Sequence, residues 1–228
     1  MEKQFISADL IKLFEAYIEY FKEYNSKINL ISKNDENVIF EKHICDSLGI
    51  NGFFEKYNIG ERINLLDIGA GGGFPSIPLA MYYKNINVTS VDSVNKKINY
   101  IKKVATDFNL ENINAMCSRI EDLDKRYKNS FDIVTSRAMA ELRIILEYAL
   151  PYIKNGGYFV AYKSKKAEDE IKNAQNALGI LGAKIIDKIN YSLPIEGIDK
   201  RVLIVIKKYK ETPLIYPRKN GVIKKTPL

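Results

Sequence analysis

A chain of 228 residues, 46% of them hydrophobic, can bury one core of ordinary size and leaves little room for two full domains. Two cysteines (Cys45, Cys117) and a single histidine (His43) exclude a disulfide scaffold and a zinc-ribbon or His-rich metal site, and fit a reducing, cytoplasmic setting. The net charge of +7 is unevenly placed: residues 200–228 hold nine Lys or Arg against Glu211 alone, so that end carries +8 and the rest −1. A basic end on a neutral body fits either a polyanion partner or a solubilising tail.

The first stretch is charged throughout, unlike a signal or transit sequence. Its Leu10, Ile11, Phe14, Ile18 and Phe21 fall on one face of a helix expected from Ser7 to about Tyr24. Ser32 and Asp35 read as a capping box opening a second helix to about Leu48. A short third helix, carrying Phe53, Phe54 and Tyr57, is expected to end at Gly60, making residues 1–60 a small helical subdomain.

Beyond Gly60, short apolar strands (63–68, 86–91, 113–117, 131–135, 157–162) alternate with helical stretches at about 74–83, 93–108, 139–153 and 165–181. That alternation predicts a mostly parallel sheet with helices on both faces. Two further strands, 183–193 and 201–208, are joined only by the turn-rich PIEGID, which is too short for a crossover, so they must be antiparallel. The expected body at 61–210 is an α/β, seven-stranded, mostly parallel sheet ending in an antiparallel hairpin, followed by a basic tail at 211–228. No uncharged run is long enough to span a bilayer.

The stretch LLDIGAGGGFPSIPLA (65–80) sets four glycines directly after the first strand. The nicotinamide fingerprint GxGxxG fails in both registers, because the sixth position is Phe74 counted from Gly69 and Ser76 counted from Gly71. A pyrophosphate would sit on the helix N-terminus. S-adenosylmethionine has none, and the DxGxGxG form that contacts its amino-acid and ribose parts is matched by Asp67 to Gly73. Glycine there permits positive φ and lets a ligand approach without meeting a Cβ. Turn and closing hairpin together point to the Rossmann-like class I methyltransferase fold.

Asp92 ends the second strand, where a carboxylate either accepts both hydroxyls of a ribose or caps the next helix. After the third strand, Ile120 and Glu121 are placed to flank an adenine ring and read its edge. Arg137 follows the fourth strand, at the carboxyl ends where such sheets bind ligands; its structural alternative is a pair with Glu141.

Four blocks carry a family likeness that runs from end to end: YNSKINLIS (24–32) with HICDSL (43–48), LLDIGAGGGFPSIPLA, FDIVTSRAMAEL (131–142) and YPRKNGVIKKTPL (216–228). The chain resembles the RsmG (GidB) family of bacterial 16S rRNA guanine-N7 methyltransferases. The resemblance implies S-adenosylmethionine as cofactor, 16S rRNA or the small ribosomal subunit as partner, and a cofactor site lined by Gly69, Phe74, Ile120, Glu121 and Arg137, to which the glycine turn and the second strand add Gly71 and Asp92. Two departures stand out: NLI (29–31) replaces the usual NLT, and Val222 and Ile223 follow Gly221. Neither touches the glycine turn in sequence, so both are expected to bear on RNA docking.

No catalytic base, nucleophile or metal-ligand set is evident. Guanine N7 needs none, because its in-plane lone pair carries no proton to remove. His43 and Asp46, three apart on a helix, either orient the guanine or pack as a pair. RNA contacts are expected from Lys163, Lys165, Arg201, Arg218, Lys219, Lys224 and Lys225, whereas the pairs 96/97 and 102/103 read as a solvated helix face. A monomer is expected. The competing readings are a methyltransferase for a protein or small molecule and a non-enzymatic RNA-binding module.

Overall fold

The computed structural model describes residues 6–195 and 200–228, so residues 196–199 of the expected PIEGID turn lie outside the described residues. Seven strands form one sheet in the order β3-β2-β1-β4-β5-β7-β6. β1 (Ile63–Ile68), β2 (Ile86–Asp92), β3 (Ile113–Cys117), β4 (Phe131–Arg137) and β5 (Ile153–Lys163) run parallel. β7 (Arg201–Lys208) enters antiparallel between β5 and the edge strand β6 (Ala183–Tyr191). Side chains alternate between the two faces of a strand. Leu65 and Leu66 are therefore both fully buried, each in a different hydrophobic cluster, although exposed Asn64 and buried Asp67 interrupt the apolar run of β1.

One face carries α1 (Ala8–Ile28), α2 (Cys45–Leu48), α3 (Asn51–Lys56), α4 (Ser76–Tyr82) and α5 (Asn95–Asp107). The N-terminal helices share their core with the sheet: Phe21 lies 5.2 Å from Phe74 and 5.7 Å from Tyr100, and Tyr17 fits between them. Each such buried aromatic contributes about 1.5–3 kcal/mol. α1 is capped by the Ser7 hydroxyl, which accepts from the Leu10 N–H, and it outlasts the expected Tyr24 by a turn before Asn29 takes a left-handed conformation. Buried Asn25 then accepts from the N–H groups of Leu30 (2.6 Å) and Ile31 (2.9 Å), turning the chain back toward the sheet.

The second helix is not continuous. A 3₁₀ turn (Lys33–Val38) and a π-helical turn (Phe40–Ile44) precede α2, and Ser32 makes no side-chain cap. Asp35 instead reaches Lys42 Nζ at 2.5 Å, which competes with the capping box. α3 stops at Lys56 with Tyr57 extended, so Gly60 (φ +101°) lies in the loop beyond rather than at the cap.

The opposite face carries α6 (Leu142–Ala149), α7 (Ala167–Asn173), α8 (Gln175–Leu181) and α9 (Asn220–Lys225). α6 is shorter than expected, because Leu150–Tyr152 forms a tight turn around Pro151 and β5 already begins at Ile153. The predicted 165–181 helix divides at Ala174. Residues 211–228 do not trail as a tail: they fold back on α6, burying Tyr216 and Ile223. Within the basic end Lys208 is fully buried and donates to Leu150 O (2.9 Å), Ile153 O (2.7 Å) and Asn129 Oδ1 (2.6 Å), and burial lowers its pKa to about 8. Among the described residues, no helix is long and apolar enough to cross a membrane.

Candidate active site

The turn after β1 lines a cleft of about 630 Å³, a size suited to a nucleoside-sized ligand. Its glycines divide the work. Gly71 has φ +56° and a Cβ built there would meet only Gly69 O, at 3.8 Å, so the backbone stands open to the cleft. At Gly72 a Cβ would press on Leu30 Cβ at 3.2 Å, and at Gly73 it would collide with Ile77. Packing therefore disfavours a side chain at both, and at Gly73 a φ of +89° adds to it. At Gly69 the neighbour is the flexible Met139 side chain, 2.9 Å away at Sδ.

The turn's donors are already committed. Gly69 and Ala70 N–H donate to Val91 O at 2.8 and 3.1 Å, and Gly71 N–H donates to Asp92 Oδ2 at 2.9 Å. A pyrophosphate would find none of these three N–H groups available, so the turn fits a phosphate-free ligand face. Behind the turn, Asp67 is fully buried and accepts from the Ser76 hydroxyl, tying β1 to the start of α4. Burial pushes its pKa up to about 6 against the pull of the Ser76 bonds.

Asp92 is not the N-cap of α5, a position that Val94 takes without a side-chain cap. Its Oδ1 accepts from Val94 N–H at 2.8 Å, fixing the entry to α5, while the carboxylate still faces the cleft. A carboxylate has about four acceptor positions, and two remain open. Ile120 and Glu121 line the same cleft on a short turn that Tyr152 holds by donating to Ile120 O at 2.5 Å. Tyr148 on α6 and Asn220 and Lys224 on α9 complete the wall. The folded-back segment 211–228 is therefore part of the cleft, which its charge does not reveal. The NLI departure is corrected too: Leu30 packs on Gly72, and Leu30 and Ile31 both line the cleft. Ile223 is likewise buried in the core rather than set out for RNA.

Arg137 stands where this cleft meets a second cavity of about 480 Å³; His43, Arg137 and Met139 line both. Its expected structural partner, Glu141, pairs instead with Arg143. Arg137 Nε donates to Asp46 Oδ2 at 2.7 Å, and Nη2 reaches Lys42 O at 3.1 Å and His43 Nδ1 at 2.9 Å. Asp46 also accepts from the Tyr191 hydroxyl at 2.6 Å, with Arg201 Nε 3.6 Å away. Burial and the adjacent Arg137 charge lower the His43 pKa to about 4. The imidazole is therefore neutral at pH 7, and accepting from Arg137 at Nδ1 places its proton on Nε2. His43 stacks on Phe74, ring centroids 5.0 Å apart, and Phe74 lines the first cleft.

The expected RNA residues separate. Lys163 is tied to Glu170 (2.5 Å) and Ala140 O (2.6 Å) on the wall of the second cavity. Arg218 clasps Glu147, which is 1% exposed, through Nε (2.8 Å), Nη2 (2.6 Å) and its own backbone N–H (2.8 Å). These internal bonds compete with any phosphate. Lys219, Lys224 and Lys225 are exposed.

The sequence profile of the family described as rRNA small subunit methyltransferase G (GidB) matches residues 10–190. The chain belongs to that family. Ribosomal RNA small subunit methyltransferase G of Staphylococcus saprophyticus is 40% identical over 216 residues, covering 94% of this chain and 89% of the relative. Its counterpart from Streptococcus pyogenes serotype M49 is 41% identical over 219 residues, covering 94% and 90%. Among solved structures, a SAM-dependent methyltransferase from Aquifex aeolicus superposes with a TM-score of 0.56 at 16% identity, over 83% of this chain and 97% of that one. M. jannaschii TYW2 in complex with AdoMet gives 0.54 at 19% identity, over 70% and 76%. At such identities the structural likeness establishes the fold, a Rossmann-like class I methyltransferase.

Proposed function

We infer that this chain is an S-adenosylmethionine-dependent methyltransferase that modifies N7 of a guanine in 16S ribosomal RNA. The observation that carries the choice of acceptor is the state of the polar groups where the two cavities meet. His43 is neutral and already accepts from Arg137, and each Asp46 oxygen is engaged, Oδ2 by the Arg137 guanidinium and Oδ1 by the Tyr191 hydroxyl. Neither is available to take a proton, as a hydroxyl or carbon acceptor would require. Guanine N7 has a lone pair ready and no proton to lose.

When bound, S-adenosylmethionine supplies a methyl group made electrophilic by its sulfonium. Gly71 leaves the backbone bare for it, Gly69 adjoins with only the flexible Met139 side chain over it, Asp92 offers two acceptor positions to its ribose, Ile120 and Glu121 border its adenine, and Phe74 closes the far side. Arg137 is held rigidly by Asp46 and Lys42 O at the shared wall, where it orients the guanine entering from the second cavity. Alignment of this kind supplies roughly 7–11 kcal/mol of rate enhancement without acid or base. N7 lies on an edge hidden in the deep groove of an RNA helix, so an unpaired guanine is the accessible target. Residues 1–60 then act as a cap on the 61–210 body, and 211–228 as a strap whose Lys219 and Lys225 meet phosphates. Work on the small subunit places the protein in the cytoplasm.

The test is to incubate the protein with labelled S-adenosylmethionine and unmodified small subunits, digest the RNA and identify the nucleoside by mass spectrometry. Seven-methylguanosine at one site is the expected product. Cofactor binding without transfer would redirect the assignment to a protein or small-molecule acceptor.

A further inference from the structure

We propose that Asn220, on the strap, reads the adenine edge of the bound cofactor together with Glu121, as a donor beside an acceptor. The inference rests on the reading of the 630 Å³ cleft as the S-adenosylmethionine site. Glu121 and Asn220 both line that cleft, with Tyr148 on the same wall. The Tyr148 hydroxyl donates to Asn220 Oδ1 at 2.7 Å. Burial, with Glu121 and Glu147 nearby, raises the pKa of that hydroxyl to about 12, so it keeps its proton and its role as donor.

The amide's acceptor is thus occupied and its orientation set. The two Nδ2 protons meet no acceptor among the described residues, in a side chain whose residue lines the cleft. Glu121, whose side chain is 8% exposed, has Arg119 only at 4.0 Å, outside hydrogen-bond range, and its carboxylate can only accept. The wall therefore presents one acceptor and one donor. Adenine's matching edge presents the N6 amino donor and the N1 acceptor. Hypoxanthine reverses both, with an O6 acceptor and an N1–H donor.

Asn220 is also held in place from both sides. Two residues before it, Arg218 grips buried Glu147, and three residues after it Ile223 is fully buried. A donor fixed in this way loses little freedom when the ligand arrives.

The experiment is calorimetric titration of the full chain with S-adenosylhomocysteine and with S-inosylhomocysteine, its deaminated counterpart. The wild type should bind the adenosyl compound at least about tenfold more tightly. Asn220→Asp keeps the size and the acceptor for Tyr148 but removes the donors; it should weaken adenosyl binding about tenfold and erase most of the discrimination. Asn220→Ala should do the same, and Tyr148→Phe, which frees the amide to rotate, should lose about threefold; thermal melts of all three report that they are folded. If folded Asn220→Asp and Asn220→Ala discriminate as well as the wild type, the assignment of Asn220 is overturned. If the wild type binds neither compound, the cofactor reading of the cleft fails first and takes this assignment with it.

Discussion

Two arginines each hold a buried carboxylate on opposite flanks of the cleft, and they are not equivalent. Arg137 joins Asp46 from the N-terminal helices to the end of β4, spreads its bonds over Asp46, Lys42 and His43, and lines both cavities. Arg218 joins the C-terminal strap to Glu147 on α6, spends its guanidinium on that carboxylate and Thr226 O, and lines neither. The same ion pair thus does two jobs: the first fixes the geometry of the reacting end, and the second holds a wall of the cleft in place. Where the remaining faces of the arginine point distinguishes them, not the strength of the pair.

Removing either arginine strands a buried carboxylate, but the consequences should diverge. Arg137→Ala should cost about 3–5 kcal/mol in urea unfolding and lower the methyl-transfer rate at least about 100-fold, since misplacement near the reacting atoms is that costly. Arg137→Lys should not rescue it, because an ammonium cannot span three acceptors. Arg218→Ala should cost about 3 kcal/mol of stability, raise the KM for S-adenosylmethionine and leave kcat within about threefold at saturation. Equal kcat losses in the two variants would erase the distinction.

His43 sharpens the first flank through pH. Its pKa is lowered from 6.5 to about 4 on folding, so between those values the unfolded chain binds more protons and stability falls as the pH falls. The wild type should lose up to about 3 kcal/mol relative to His43→Gln between pH 6.5 and 4, from 1.36 kcal/mol per unit. Asp67, raised to about 6, has the opposite sign but is common to both proteins and cancels. A pH-independent difference in denaturant midpoints would mean that the imidazole is not buried neutral.

A smaller effect separates two adjacent glycines. Gly72→Ala should cost about 1 kcal/mol by displacing Leu30, with S-adenosylhomocysteine affinity within about twofold. Gly71→Ala costs a similar 1–2 kcal/mol or so in backbone strain but should weaken that affinity at least about tenfold, measured by calorimetry. Smallest of all, Lys219→Ala with Lys225→Ala should reduce the slope of log affinity for RNA against log salt by about 1.4, at roughly 0.7 per single-strand phosphate.

The sheet was legible because central strands such as β1, β4 and β7 are mostly buried and rich in apolar residues; β1, β3 and β7 have the expected bounds. The cleft side of the turn was legible for a related reason, since an open Gly71 and a strand-ending Asp92 are local in sequence. What sequence reading missed is nonlocal. Nothing near Asp46 reveals that Arg137 lies 2.7 Å away across 91 positions, so Glu141, one helical turn on, was the natural but incorrect partner. The basic end misled through composition: a charge count cannot distinguish Lys208, sunk among carbonyls, or Arg218, gripping Glu147, from an exposed Lys219. The capping box at Ser32 failed because Asp35 had a better partner in Lys42.

The unequal glycines also alter what the turn's spelling records. Gly72 and Gly73 answer to Leu30 and Ile77, which any folded copy of this chain must accommodate, whereas Gly71 answers to the open cleft. A duplicated gene released from methyl transfer would lose the cleft's demand on Gly71 and keep only the backbone's, a φ of +56° that asparagine or aspartate can also adopt, while packing went on constraining the other two. In such a lineage most of the glycine motif would outlive the activity, and the residue at position 71 would be the one to date its loss.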